Sequence, residues 1–251
     1  MRITTPQITA LMHGSMSANA AELGKLMRQM ATGQRMLLPS DDPIASVRVL
    51  RVQREEASLA QYRDNIANLS GNLSKQETNL KAASSSMLRV QDLLLWAANR
   101  GVNTADDMAA IASELDILKE TIIGFANVRD EEGRYLFSGT LSDQPAVTYN
   151  AGTDEYEHSG NGKYRQAAVA NGVLVDENVT AMQVFGPNLQ MLNDIHKLVQ
   201  TLQDPALNPS DPAVGQQIAD ALDSLDRTHR DLLGTLTELG GRQNSLKLLS
   251  D

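Results

Sequence analysis

The sequence predicts a mainly α protein: an elongated, antiparallel, coiled-coil-like helical rod with a small β-rich inserted outer domain. Apolar residues recur at alternating steps of three and four, the spacing of helices that supercoil. Aromatic residues make up only 4% of the 251 positions, which favours helix-on-helix packing of aliphatic side chains. Turn residues and β-formers alternate between residues 140 and 186, and this segment is the predicted insert.

The first element is an amphipathic helix. Its apolar positions recur at helical spacing and are Ile8, Leu11, Met12, Met16, Leu23, Leu26, Met27 and Met30. Gly33 follows and is a natural left-handed C-terminal residue. A lone amphipathic helix has to bury its face, and methionine suits adaptable interfaces. We therefore favour an intermolecular surface over an ordinary core stripe.

The stretch RMLLPSDDPIAS, residues 35–46, interrupts the helices and sets two carboxylates between two prolines. Pro43 has φ preset for a first helical position, and an oxygen just before it can accept the free amides of the first turn. We interpret Asp42 and Pro43 as the cap and the first residue of the second helix, with Asp41 shaping the turn. Because no ligands follow at calcium-loop spacing, no metal site is predicted here.

The second helix carries the strongest periodic signal. Its stripe steps by three and four over more than five heptads and consists of Leu59, Tyr62, Ile66, Leu69, Leu73, Gln76, Leu80, Ala83, Met87, Val90, Leu94 and Ala97. Such a helix would span roughly 85 Å, far more than a compact domain needs. Gly101 is its predicted end.

Further elements follow in order. Thr104 is a predicted N-cap for a third helix that folds back antiparallel, with Asp106 and Asp107 near its start, where the helix dipole favours negative charge. The segment GRYLFSGT is a predicted aromatic strand, and the dipeptide Asn171-Gly172 predicts a hairpin within the insert. A later helix could begin at Pro187, and the last one runs to Asp251 without a stop signal.

Charge and composition exclude several classes of protein. The net charge of −9 argues against nucleic-acid binding. Residues 1–100 contain 12 Lys and Arg against 8 Asp and Glu, so residues 101–251 contain 10 Lys and Arg against 23 Asp and Glu. The basic half of one copy could contact the acidic half of another, or both halves could be ordinary solvated surfaces. There is no cysteine, no signal-peptide-like start and no run of ~18 apolar residues, so no membrane partner is expected.

No chemical site is predicted. Asp154, Glu155, Glu157 and His158 resemble a ligand cluster in composition, but consecutive strand residues point to opposite faces and do not converge on one ion. The sequence contains no nucleophile elbow, phosphate loop or dinucleotide fingerprint. We therefore expect no catalytic residues, no cofactor, no metal and no enzymatic activity.

Four segments resemble the flagellin superfamily, and within it the flagellar hook-associated protein 3 family. They are MRITT, ATGQRMLLPSDDPIASVRVL, EGRYLFSGT and LTELGGRQNSL. The second is the most specific, since the superfamily has a helix that ends in an SGxR-like turn before paired aspartates. Here Thr32 stands where the family usually has serine.

The resemblance implies a domain organisation. Residues 1–33 would be an N-terminal assembly helix, 34–42 a linking spoke, 43–139 with 187–251 a rod like the flagellin D1 domain, and 140–186 the outer insert. The family pairs its first helix with a C-terminal one. Because this chain ends within a helix, we expect that it lacks this partner and assembles poorly.

The resemblance also implies a function without catalysis. Members are exported through the flagellar type III apparatus and form a ring between hook-associated protein 1 and flagellin, so the implied partners are these two proteins, further copies and an export chaperone. The implied location is the extracellular flagellum. The apolar face of the first helix would pack in the inner tube of the assembled flagellum. Arg48, Arg51 and Arg54 would be exposed basic positions. A minor flagellin or a non-flagellar helical adaptor are the alternatives.

Overall fold

The computed structural model describes residues 5–99 and 103–250. Contacts divide the chain into two compact units, Met1–Leu59 and Ala60–Asp251. Most of the motif MRITT, the predicted helix end at Gly101 and the chain end at Asp251 lie outside the described residues. The finer domain boundaries stay a prediction.

Helices dominate the described chain, as predicted. They are α1 (Thr5–Thr32), α2 (Pro43–Ala98), α3 (Ala105–Ala126), α4 (Ala181–Phe185), α5 (Gln190–Leu202) and α6 (Pro212–Ser250). The strands are β1 (Val147–Asn150), β2 (Glu155–His158), β3 (Gln166–Ala170) and β4 (Val173–Asp176). In the described ranges no helix is both long and apolar enough to cross a membrane.

The predicted stripe of α2 forms the core of the second unit. Every stripe position from Ile66 to Ala97 is buried, because α3, α5 and α6 contribute matching apolar faces to the same cluster. Leu59, by contrast, is 58% exposed. Leu59, the first position of the predicted stripe, is therefore not part of this core.

Side-chain bonds fix the helices as antiparallel neighbours. On α6, Gln243, His229 and Asp226 bond in turn to Glu77, Ser84 and Gln91 of α2. Residue numbers increase along α2 while those of its partners on α6 decrease, so the two helices are antiparallel. Arg89 of α2 likewise donates to Glu114 of α3 at 2.8 Å, and Thr104 caps α3 in a capping box with Asp107. The predicted return of α3 and its cap are confirmed.

The insert consists of two separate hairpins, β1–β2 and β3–β4. Gly172 turns the second one with φ of 74°, which confirms the predicted Asn171-Gly172 turn. The prediction of a strand at GRYLFSGT is wrong. The segment forms β pairing with another part of the chain only through one isolated β-bridge, between Tyr135 and Arg129. The segment is instead a buried turn, because Gly139 has a left-handed φ of 72° that a regular strand does not accommodate.

Two further details differ from the sequence interpretation. Helix α5 begins at Gln190 rather than at Pro187, because Leu189 takes a left-handed φ of 50° and reverses the chain just before the helix. The short helix α4 was not expected from the turn-rich sequence. Thr180 caps it by accepting the N–H of Gln183.

A glutamine in the apolar stripe joins the long helix to the insert. Gln76 is fully buried. Its Nε2 donates to the main-chain oxygen of Glu177 at 2.9 Å, and its Oε1 accepts the N–H of Val179 at 2.8 Å. The N–H of Val179 is buried and the oxygen of Glu177 is part-buried, so an amide that both donates and accepts is the matching group at this position.

We expect Gln76→Leu to destabilise the second unit despite its higher hydrophobicity. Unpaired buried groups cost about 1–3 kcal/mol each, and two are left behind, so the free energy of unfolding should fall by roughly 2–4 kcal/mol. Urea denaturation and amide exchange at Val179 measure this. Thr78→Ala, an exposed change on the same helix, is the control and should change stability by less than about 0.5 kcal/mol. Unchanged exchange at Val179 would contradict the assignment.

Candidate assembly surface

Helix α1 presents a large apolar face to solvent. Its predicted residues are exposed by between 46% (Ile8) and 84% (Met30), and they are Ile8, Leu11, Met12, Met16, Leu23, Leu26, Met27 and Met30. Soluble monomers rarely expose contiguous apolar patches of this size. The face therefore has the character of an interaction surface.

The end of α1 is built to turn the chain. Gly33 has φ of 67°, the left-handed conformation that glycine adopts without steric cost. Gln29 donates from Nε2 to the main-chain oxygen of Arg35 at 2.6 Å. Thr32 donates to the main-chain oxygen of Arg28 and accepts the N–H of Gln34. A small set of local bonds thus ends the helix.

Asp41 organises the turn between α1 and α2. Its Oδ2 accepts the N–H groups of Leu37 and Leu38 at 3.1 and 3.0 Å, and its Oδ1 lies 3.1 Å from Lys25 Nζ. The hydrogen bond from Leu38, followed by the contact with Lys25, lowers the pKa of Asp41. The charged carboxylate is therefore the form that holds the turn.

Asp42 lies directly before α2 and has different partners. Its Oδ1 accepts the N–H of Ala45 at 3.0 Å, two residues beyond Pro43, which is the geometry of a helix cap. Its Oδ2 pairs with Arg35 at 2.9 Å. The two neighbouring aspartates thus serve the turn and the helix start separately.

We expect Asp41→Ala to loosen the turn, because Leu37 and Leu38 lose their acceptor. Amide exchange at these two residues should become faster, whereas Asp41→Asn, which keeps an acceptor oxygen, should have a smaller effect. Because the pKa of Asp41 is lowered in the folded chain, its stabilising contribution is present above the ordinary value near 3.8 and is lost as pH falls through the lowered value. NMR titration of the Leu38 amide measures this; a midpoint at or above 3.8 would contradict it.

The start of α2 adds a second exposed surface. Ile44 is 71%, Val47 60% and Leu50 52% exposed, and Arg48, Arg51 and Arg54 are exposed beside them. In the described ranges these arginines form no ion pair. The sequence interpretation named the arginines but not the exposed apolar residues of this segment, which also include Val49 and Val52. The sequence did carry a signal for Ile44, Val47 and Leu50, because these residues, between Pro43 and Leu59, lie off the three-four spacing of the core stripe.

The four residues of the insert that resemble a ligand cluster in composition, Asp154, Glu155, Glu157 and His158, do not point to a common site. Asp154 bonds to Tyr149, His196 and Gln200, and hydrogen bonds from Tyr149 and His196 hold the pKa of Asp154 far below its usual value. The neighbouring Glu155, Glu157 and His158 have other partners, namely Lys197, Asn150 and the main chain of Gly186. Across residues 5–99 and 103–250, no group of three or more His, Asp and Glu is placed to hold a metal.

Comparison with known proteins assigns the chain to a family. The family described as "Bacterial flagellin N-terminal helical region" matches residues 3–142. Flagellar hook-associated protein 3 of Salmonella typhimurium strain LT2 is 26% identical over 99% of this chain and 82% of its own length.

Solved structures agree with this assignment. One from Vibrio parahaemolyticus, described as a flagellar hook-associated protein, is 38% identical, covers 85% of this chain and 92% of its own, and has a TM-score of 0.75. The match to the flagellar junction protein FlgL of Legionella pneumophila covers 80% of this chain and 99% of that one, with a TM-score of 0.69. At 15% identity, this match shows the shared fold. The chain belongs to the flagellin superfamily and, within it, to the flagellar hook-associated proteins.

Proposed function

We propose that this protein is a structural component of the bacterial flagellum, an adaptor at the junction between hook and filament. The observation that carries the proposal is the exposed apolar face of α1 in a member of this family. Eight exposed apolar side chains on one helix need a partner. A protein built into a tube would cover them with its neighbours.

The proposed partners are hook-associated protein 1 on one side, flagellin on the other and further copies in a ring. Export through the flagellar type III apparatus, with an export chaperone, would place the protein outside the cell without a cleaved signal peptide. The proposed role needs no cofactor and no catalysis. Membership of a flagellar family argues against the non-flagellar adaptor.

A minor flagellin that forms the filament itself is the remaining alternative. The family model covers the flagellin N-terminal region, so the fold alone does not separate the two roles. The name carried by the Salmonella relative favours the hook-associated role. A minor flagellin should polymerise on its own, whereas a junction protein should need a preformed end.

Deletion of the gene tests the proposal. Electron microscopy of the deletion strain should show bare hooks, and an immunoblot of its medium should show released flagellin monomers. A plasmid copy of the gene should restore filaments. Normal filaments in the deletion strain would overturn the junction role.

A further inference from the structure

Besides the apolar face of α1, each compact unit has an exposed surface that combines apolar and charged side chains. The first is the arginine face at the start of α2, formed by Ile44, Val47, Leu50, Arg48, Arg51 and Arg54. Its apolar members are 52–71% exposed, and residues 43–54 contain three arginines and no carboxylate. Arginine is enriched at protein–protein interfaces relative to the rest of the protein surface.

The second surface is the leucine seam, which runs where α2 meets α6 in the second unit. Gln91 of α2 bonds to Asp226 of α6 at 2.9 Å and marks the contact line. Leu88 and Leu95 lie one turn before and after Gln91, on the same side of the helix. They are 48% and 56% exposed. The seam therefore holds an apolar stripe open to solvent.

The α6 side of the seam continues this stripe. His229 contacts Ser84 of α2, and Leu233, one turn further along α6, is 46% exposed. The seam is therefore defined here as Leu88, Leu95 and Leu233 with the carboxylates Asp92 and Asp226.

The carboxylates of the seam are not neutralised. Asp226 bonds to the neutral amide of Gln91, and Asp92, also exposed, has no cation partner in the described ranges. Arg230, nearby on α6, donates its Nε to the main-chain oxygen of Asp226 rather than to a carboxylate. The seam thus places exposed carboxylates next to exposed leucine side chains.

The two surfaces match in chemistry and in spacing. Both combine exposed apolar side chains with charge. The arginine face is net basic, with three arginines followed by Glu55 and Glu56, and the seam is net acidic, with two aspartates beside Arg230. This difference in net charge favours their association over like pairing. On the arginine face, Val47 and Arg54 lie seven residues apart, and on the seam Leu88 and Leu95 do too. Both pairs span two helical turns, or roughly 10 Å.

We propose that the arginine face of one copy packs against the leucine seam of the next copy in the assembled protein. The inference rests on the proposed assembly function and names its partner surface. Because the two surfaces differ, the contact is heterologous, and each copy offers one half to each of two neighbours. Repeated contacts of this kind generate rings or helical assemblies.

Cross-linking in intact flagella tests the contact. The chain contains no cysteine, so introduced thiols react without background. Val47→Cys is combined in turn with Leu88→Cys, Leu95→Cys or Leu233→Cys, and isolated flagella are treated with a short bismaleimide. Because every copy carries both halves, a denaturing immunoblot should show a ladder of dimers, trimers and larger species from at least one pair.

Matched controls define the outcome. Each single-cysteine variant should remain monomeric, as should Val47→Cys combined with Thr121→Cys, an exposed position on α3. Only monomers from all three seam pairs would overturn the proposal. Adducts with a different flagellar protein would also overturn it, since they would identify another occupant.

Charge reversal gives a second test that does not depend on thiol reactivity. Arg51→Glu/Arg54→Glu should reduce incorporation into flagella by about tenfold, and adding Asp92→Arg/Asp226→Arg should restore most of it. A combined variant that incorporates no better than the arginine reversal alone contradicts the pairing. If the wild-type protein restores filaments while these outcomes fail, only the surface assignment falls. If the wild-type protein is absent from flagella, the proposed function falls as well.

Discussion

Replacing Leu23 and Met27 with aspartate is expected to abolish incorporation of the protein into flagella. Both side chains belong to the exposed face of α1, at 55% and 60% exposure. An interface that covers them would have to bury two carboxylates without partners, which costs far more than the lost apolar contact. The fold of the chain should not change, because the face is not buried within it.

Complementation of the deletion strain measures the effect. The aspartate variant should leave hooks bare, while circular dichroism and thermal unfolding of the purified variant match the wild type. Leu23→Met/Met27→Leu is the matched control, since it keeps an apolar face of similar volume and should restore filaments. Normal filaments with the aspartate variant would exclude this face from assembly.

Among Gly139, Gly160 and Gly172, substitution of Gly139 should have the largest effect on stability. The chain at residues 138–139 crosses the chain at 160–161 with almost no space between them. A Cβ at Gly139 would overlap the main-chain oxygen of Asn161, and its φ of 72° is already unfavourable for other residues. The left-handed conformation costs about 1–2 kcal/mol and overpacking about 1–3 kcal/mol more.

The neighbouring glycines separate these two contributions. A Cβ at Gly160 would lie 2.7 Å from Ser138 Cα, so Gly160→Ala should show the steric cost. Gly172 has φ of 74° with open space around it, so Gly172→Ala should show the conformational cost. Urea denaturation should therefore rank Gly139→Ala as the most destabilising. Equal stability of the Gly139 and Gly172 variants would contradict the crossing geometry.

The helical part of the fold could be predicted because periodicity reports burial directly. A stripe from Ile66 to Ala97 can be read from sequence since each position faces the same core. The cap at Thr104 is equally local, because the side chain that accepts and the amide that donates lie three residues apart. Such features need no knowledge of distant contacts.

The segment GRYLFSGT shows where this reasoning ends. Its aromatic and β-branched neighbours suggest a strand, but the conformation is set by distant partners. Phe137 O accepts the N–H of Ala181, and Ser138 O accepts that of Asn161. Gln76 is similar, since its amide pairs with backbone more than 100 positions away. Contacts at that separation leave no local signal in the sequence.

The exposed residues of the proposed assembly surface were predicted in part for the same reason. The apolar face of α1 is periodic and was found, whereas Ile44, Val47 and Leu50 share a helix with the core stripe and became visible only through their exposure. Periodicity shows that a face is apolar but not whether its partner lies in the same chain. The structure adds which apolar residues are exposed in this chain.

Immunogold electron microscopy of isolated flagella tests the central claim most directly. An epitope tag in the exposed loop around Gly152 would leave α1, the arginine face and the leucine seam unaltered. An adaptor predicts one narrow band of gold at the boundary between hook and filament in each flagellum. Label along the whole filament would show a minor flagellin instead, and flagella without label would contradict the flagellar role altogether.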